Sequence, residues 1–270
     1  MKKQLMLILV LLATLAWERT GRCDDSAKEP HPAGSFQVLD NLHYAKKPDL
    51  TADGVPNCNI VYEGYIWKGG SKSPDFGSMP DETAYKKAVK DHSVKPGPIV
   101  IDIETLRLSG KPDVVEPHFK LFTTLVKWTH ESAPGRLVGF YGHGLFPEQP
   151  GKEYQTQAKA LADAVDAFFP SMYTFNDDRP TWAAKARKLV ADAHAIAPGK
   201  PVLFYIWPQY HEGSPRALEL LDGDHWEFEL KTAQESGADG VVLWSSGKPE
   251  WSDNAPWWVS TQKFLKTVGK

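Results

Sequence analysis

Short apolar runs separated by segments of helical period, repeating along most of the chain, most narrow what it can fold into. Strands are expected over Phe36–Leu42, Asn59–Trp67, Ile99–Glu104, Arg136–Gly142, Ala167–Tyr173, Pro201–Trp207 and Gly240–Ser245. Between them, apolar residues recurring every three or four positions predict helices over Glu82–His92, Glu116–Glu131, Gln155–Val165, Thr181–Ile196, His225–Ser236 and Val259–Val268. From Ile60 onward a new strand begins about every 30 to 39 residues, which is the pace of successive βα units and makes a parallel sheet covered by helices. No early G-x-G-x-x-G turn opens a helix, so a closed barrel is favoured over a doubly wound sheet. The expected fold class is α/β: a single distorted, TIM-like β/α barrel of about seven parallel strands, spanning 35–270. The stretches Lys68–Pro80 and Gly144–Lys152 directly follow strands and so belong to the barrel face where active sites are built.

The beginning of the chain reads differently. Lys2 and Lys3, an apolar run from Leu5 to Leu12, and small residues at Ala13 and Ala16 follow the order of an export signal, assigned to 1–22. That run is short of the roughly 20 residues that span a bilayer, so no stable membrane insertion is expected, and the protein is placed outside the cytoplasm or in the periplasm. A polar tether follows over 23–34. Cys23 is preceded by Arg22, a poor residue for a lipoprotein site, and Cys23 and Cys58, the two cysteines of the chain, permit one disulfide in an exported protein. They form no zinc-ligand pattern, and neither metal nor cofactor is expected. With 31 Lys and Arg against 34 Asp and Glu, the formal charge of -3 offers no field to gather a phosphate backbone, which excludes nucleic acid as the expected partner. Ten Trp, nine Tyr and twelve Phe supply flat rings for a core and for sugar faces. A polysaccharide acted on by a monomer is the expected partner.

The chemistry concentrates at Ile99-Val100-Ile101-Asp102-Ile103-Glu104. Side chains alternate along a strand, so the three isoleucines share the face that packs on helices while Val100, Asp102 and Glu104 share the other. In a barrel that second face is the interior, and the two acids lie at its C-terminal end. Like charges so placed raise one pKa, which yields the protonated carboxylic acid that glycoside cleavage requires. A pair neutralised by neighbouring Lys or Arg is the purely structural alternative. Aromatic residues end three later strands: Tyr173, the run Tyr205, Trp207 and Tyr210, and Trp244. Glu63 falls within an expected strand and is either a second site acid or a salt-bridged strand residue. His143 lacks the partners of a metal motif and reads as a rim hydrogen-bonding group. The loop Glu250–Trp258, with three Trp, is either a lid on a groove or a clamp for the last helix, and the absence of a G-x-S-x-G elbow argues against an esterase.

Several ordered patches resemble the hyaluronidase family of glycoside hydrolases: Ile101-Asp102-Ile103-Glu104, Gly139-Phe140-Tyr141, Phe169-Pro170-Ser171-Met172-Tyr173, Pro201-Val202-Leu203-Phe204-Tyr205 continuing to Tyr210, and Ala238-Asp239-Gly240-Val241-Val242-Leu243-Trp244. The resemblance implies a distorted seven-stranded barrel. It implies Glu104 as acid/base, with the substrate's own N-acetyl oxygen as nucleophile. Asp102 and Tyr210 are then the groups that orient the acetamide, Tyr173 a sugar contact and Trp244 a pocket wall, with Tyr141 and Tyr205 as further substrate-binding candidates. Where the family continues with Glu-Trp-Arg-Pro after its D-x-E, this chain has Thr105-Leu106-Arg107-Leu108, which implies a different groove beside the acid. The expected activity is retaining, substrate-assisted cleavage of an N-acetylhexosamine-containing polysaccharide. A lysozyme-like muramidase and a non-catalytic glycan-binding barrel are the alternatives.

Overall fold

The computed structural model describes residues 36–142, 154–247 and 249–268. The expected leader (1–22), the tether (23–34), Cys23, His143 and the stretch Gly144–Lys152 lie outside the described residues. Six strands form two parallel ladders: β1 (Gln37–Asn41), β6 (Gly240–Trp244) and β5 (Leu203–Ile206) in one, β2 (Asn59–Tyr62), β3 (Ile99–Asp102) and β4 (Val138–Phe140) in the other.

A seventh segment closes the ring. Phe168 pairs with Val202 and Ser171 with Tyr205 on the β5 side, Phe169 pairs with Tyr141 beyond β4, and Asp40 of β1 pairs with Asn57 ahead of β2, all in parallel. The circuit β1, β2, β3, β4, 168–171, β5, β6 and back to β1 is the distorted β/α barrel expected. The expected strand Ala167–Tyr173 forms bridges rather than a regular ladder because Pro170 accepts from Tyr205 N at 2.9 Å but has no N–H to return.

Strand alternation sorts the core into two layers. Val100, Leu39, Val242, Leu203 and Tyr205 point into the barrel, whereas Ile99, Ile101, Val241, Leu243, Phe204 and Ile206 pack outward under the helices. Gly139 of β4 faces inward, where a Cβ would lie 2.3 Å from the Ala167 oxygen and 2.8 Å from the Phe169 ring, so only glycine fits.

Seven helices among the described residues cover the strands: α1 (Glu63–Ile66), α2 (Glu82–His92), α3 (Pro112–Ser132), α4 (Gln155–Ala164), α5 (Arg179–Ile196), α6 (Gly223–Glu235) and α7 (Pro256–Val268). Their starts carry sequence signals: Asp81, Asp178 and Asp222 cap α2, α5 and α6 with their side chains, and proline opens α3. The expected strand Asn59–Trp67 is corrected, since β2 ends at Tyr62 and the chain turns into α1, closed by Trp67 N–H to Glu63 O at 2.8 Å. Glu63 is therefore a helical residue rather than a strand residue. The Trp-rich loop clamps the last helix: Trp257 and Trp258 are buried in α7, and Trp257 packs on Tyr44 and Trp226. Among the described residues no helix is long and apolar enough to cross a membrane.

Candidate active site

Asp102 is the last residue of β3 and keeps the inward direction of Val100, which leaves the residue 8% exposed at the top of the barrel. Glu104 follows two residues later, past the strand end and exposed. Both line one cavity of about 200 Å³, together with Tyr141, Tyr173, Trp207 and Trp244, and Ile60 and Tyr205 lie at its base. The strand period thus brings the acids together as the sequence predicts.

Three environments distinguish the polar groups. Asp102 Oδ1 is buried with no hydrogen-bond partner. Burial, followed by the negative charges of Glu104 and Glu63, pushes the Asp102 carboxyl up to about 8. Glu104 is raised as well, by burial first and by Glu63 next, with the Arg107 guanidinium opposing. The phenols of Tyr62 and Tyr141 are pushed up to about 12 by burial, and those of Tyr173 and Tyr205 well above their usual value, so all four remain neutral donors at physiological pH.

The walls are aromatic. Tyr173 stacks on Trp244 with centroids 5.5 Å apart and planes 26° apart, and Trp207 meets Trp244 edge to face at 4.9 Å. The Tyr141 ring lies 6.1 Å from that of Tyr173 and meets Tyr205 edge to face at 5.0 Å. Trp244 Nε1 donates to Tyr62 Oη at 3.1 Å, and Tyr62 stands opposite Asp102 in the β2–β3 register. Tyr205 sits below, its hydroxyl 3.8 Å from the Cys58 sulfur. That thiol has no disulfide partner among the described residues, lies in the barrel interior and is pushed up to about 12 by burial.

Tyr210 is the expected site residue that the structure does not bring to this cavity. It is buried in the outer layer, its hydroxyl donating to Asp177 and receiving Arg216 Nη1 at 2.6 Å, with the guanidinium 4.2 Å above its ring. Leu203, Tyr205 and Trp207 alternate inward, and beyond Trp207 the chain leaves the strand, so the side chain of Tyr210 falls on the outer side. Trp207, His211 and Glu212 line the cavity instead. Trp207 was legible from its parity with Tyr205, but no sequence signal marked His211 or Glu212, which arrive on the loop after β5.

No protein-family profile matches the sequence, and no curated protein matches it. Among solved structures, bee venom hyaluronidase in a monoclinic crystal matches with a TM-score of 0.58 at 16% identity, covering 87% of this chain and 97% of that one. The bee venom enzyme in complex with a hyaluronic acid tetramer matches with a TM-score of 0.60 at the same identity and coverage. In fold, this chain is a hyaluronidase-like β/α barrel.

Proposed function

We propose that the protein is an exported glycosidase that cleaves an N-acetylhexosamine-containing polysaccharide with retention, the substrate's acetamido oxygen acting as nucleophile. The observation that carries this reading is that Glu104, just past the end of β3, and a buried, unpartnered oxygen of Asp102, its last residue, line one cavity. An acid and a nucleophilic carboxylate must flank the scissile bond from opposite sides, about 5 Å apart in retaining enzymes. Two carboxyls two residues apart at one strand end reach the cavity from the same wall, which suits one acid and one orienting group.

The steps follow from the electrostatics. Two neighbouring carboxyls that are both raised share one proton across neutral pH and titrate as a pair. When the acetamide N–H docks on Asp102, the charged form of that carboxyl is favoured and the shared proton resides on Glu104. Glu104 then protonates the leaving oxygen while Asp102 aligns the acetamide for attack, and Glu104 afterwards takes a proton from the water that opens the cyclised intermediate. Trp207 and Trp244 wall the sugar, and Tyr141 and Tyr173 supply neutral donors. The orienting share first given to Tyr210 passes to these phenols. The bee venom structure with its bound tetramer supports a polysaccharide as the substrate class.

The test is a reducing-end assay over glycosaminoglycans, chitin oligomers and peptidoglycan, with Glu104→Gln as the control. New ends from an N-acetylated polymer are expected, and the variant is expected to lose about 10²- to 10⁴-fold in rate while still binding. Rapid turnover of a de-N-acetylated substrate, or a glycosyl ester trapped on any carboxylate, would overturn the mechanism. Cleavage confined to peptidoglycan would identify a muramidase, and saturable binding without new ends a glycan-binding barrel. Export predicts a mature protein outside the cytoplasm that begins within about residues 17–24, read by mass analysis of its N-terminus.

A further inference from the structure

The acid pocket is unbalanced in charge. Among the described residues that line it, three side chains are carboxyls, Asp102, Glu104 and Glu212, and none is a lysine or an arginine. His211 is the basic group of the lining, but its Nδ1 accepts the Gly213 N–H at 3.0 Å, so the ring meets the pocket as an imidazole rather than as a cation. Glu212 stands on a braced loop, where His211 N–H donates to Thr174 O at 2.8 Å and Tyr210 is held between Asp177 and Arg216. Arg216 of that loop is taken up by Asp177 and Glu219, and Glu212 forms no ion pair among the described residues. Glu63 adds a negative charge that acts on both Asp102 and Glu104, and its Oε2 is buried with no partner among the described residues. Arg107 opposes these charges at Glu104 without lining the cavity.

One proton shared between Asp102 and Glu104 leaves the pocket negative, through the other carboxylate of the pair and through Glu212. The walls strengthen the field, because Tyr173, Trp207 and Trp244 are poorly polarisable neighbours that replace water, and a cleft lined by one sign of charge concentrates its potential. Their ring faces carry the negative side of the aromatic quadrupole and favour a cation over an anion. Asp102 points the same way: the residue is 8% exposed and lines the cavity, and its unpartnered Oδ1 calls for a ligand N–H or O–H donor. A ligand carboxylate entering this space would meet like charges and ring faces, with no lysine or arginine of the lining to receive it. Hydroxyl, amide and ammonium groups would meet acceptors.

We propose that the pocket selects its glycan by charge, with Glu212 as a specificity-determining residue: the substrate carries no carboxylate beside the scissile bond, and free amino groups on the units next to the cleaved one improve it. The inference rests on the glycosidase reading and narrows its substrate class to uncharged or partly de-N-acetylated N-acetylhexosamine polymers, the cleaved unit keeping its acetamide. Two pairs of hexasaccharides separate charge from linkage: hyaluronan against its carboxyl-reduced form, and fully acetylated against partly de-N-acetylated chitin. Within each pair that is turned over, the less anionic or more cationic member is expected to have a kcat/KM about tenfold higher, equivalent to about 1.4 kcal/mol, with the ratio falling as salt is raised. Glu212→Gln is expected to shrink the ratio about threefold, and Glu212→Lys to abolish or invert it. Equal rates within a pair, a ratio that neither substitution moves, or cleavage confined to peptidoglycan, which bears carboxylates, would overturn the charge selection and leave the glycosidase reading standing. If the wild-type protein turns over no substrate, the glycosidase reading fails, and calorimetric binding of the same pairs decides the selection: tighter binding of the less anionic member, weakened by Glu212→Gln, supports it, and equal binding overturns it.

Discussion

Trp244 Nε1–H donates to the Tyr62 phenol oxygen at 3.1 Å, joining the ends of β6 and β2 across the mouth of the barrel. The bond fixes the indole that stacks on Tyr173 and lines the acid pocket. Trp244→Phe keeps a ring but removes the donor, at a cost of about 1 kcal/mol in positioning. Oligosaccharide hydrolysis is expected to fall about five- to tenfold in kcat/KM, with thermal stability close to wild type. A drop in melting temperature that matches the loss of rate would show instead that the bond serves the fold.

The pH–rate profile should report the shared proton. Glu104 must hold it to act as an acid, and burial together with Glu63 raises Glu104 above its ordinary range. Activity is therefore expected to persist through neutral pH and to fall as the pair ionises near the value of about 8 reached by Asp102. Glu63→Gln removes a negative neighbour of both acids, so the alkaline limb of kcat/KM is expected to move to lower pH. A limb at the same pH in both proteins would show that Glu63 does not act on the pair. Ser71 N–H donates to Glu63 Oε1 at 3.1 Å, so the melting temperature is followed in parallel to register any loosening of the loop after α1.

Period was the readable part of both fold and site. The alternation of Val100, Asp102 and Glu104 predicts both acids on the cavity side, where both line it, and the spacing of the strands predicts the barrel with its seventh segment. Residues outside regular strands obeyed no such rule. Glu63 read as strand because Val61-Tyr62-Glu63-Gly64-Tyr65 alternates, but the chain coils there into a single turn of helix. Tyr210 matched a motif by order, yet its direction is set by where the chain leaves β5 and by the Asp177 and Arg216 that receive it. His211 and Glu212 reach the pocket through a loop whose path depends on contacts between distant segments, such as His211 N–H to Thr174 O at 2.8 Å.

Tyr210 allows a direct contrast between motif and geometry. If it oriented the acetamide, Tyr210→Phe would slow catalysis severely. Its position between Asp177 and Arg216 leads to a different expectation: kcat/KM close to wild type, with about 1 kcal/mol lost from stability and a melting temperature lower by about 2–4 °C. Parallel denaturation and rate measurements decide the matter. A large fall in kcat with unaltered stability would return Tyr210 to the site.

In the proposed mechanism Asp102 sets function against stability, and the sign is fixed by its environment. An unfolded aspartate ionises near 3.8, whereas burial and two negative neighbours hold the folded carboxyl protonated to about 8. Because the folded state binds the proton more tightly, the group's stabilising contribution is complete below about pH 4. It is lost progressively as pH rises through about 8, above which both states are ionised. Asp102→Asn cannot ionise and does not suffer this loss. The variant and the wild type are expected to melt at similar temperatures at pH 4, and the variant at a higher temperature at pH 8, the gap being on the order of several kcal/mol. Hydrolysis should be severely slowed at every pH, because the amide no longer offers the substrate N–H a carboxylate. Melting curves followed by circular dichroism between pH 4 and pH 9, with rates measured on the same samples, test both halves. A gap that fails to open with pH would show that Asp102 ionises like an exposed carboxyl, and would remove the unpartnered acid on which the orienting role depends.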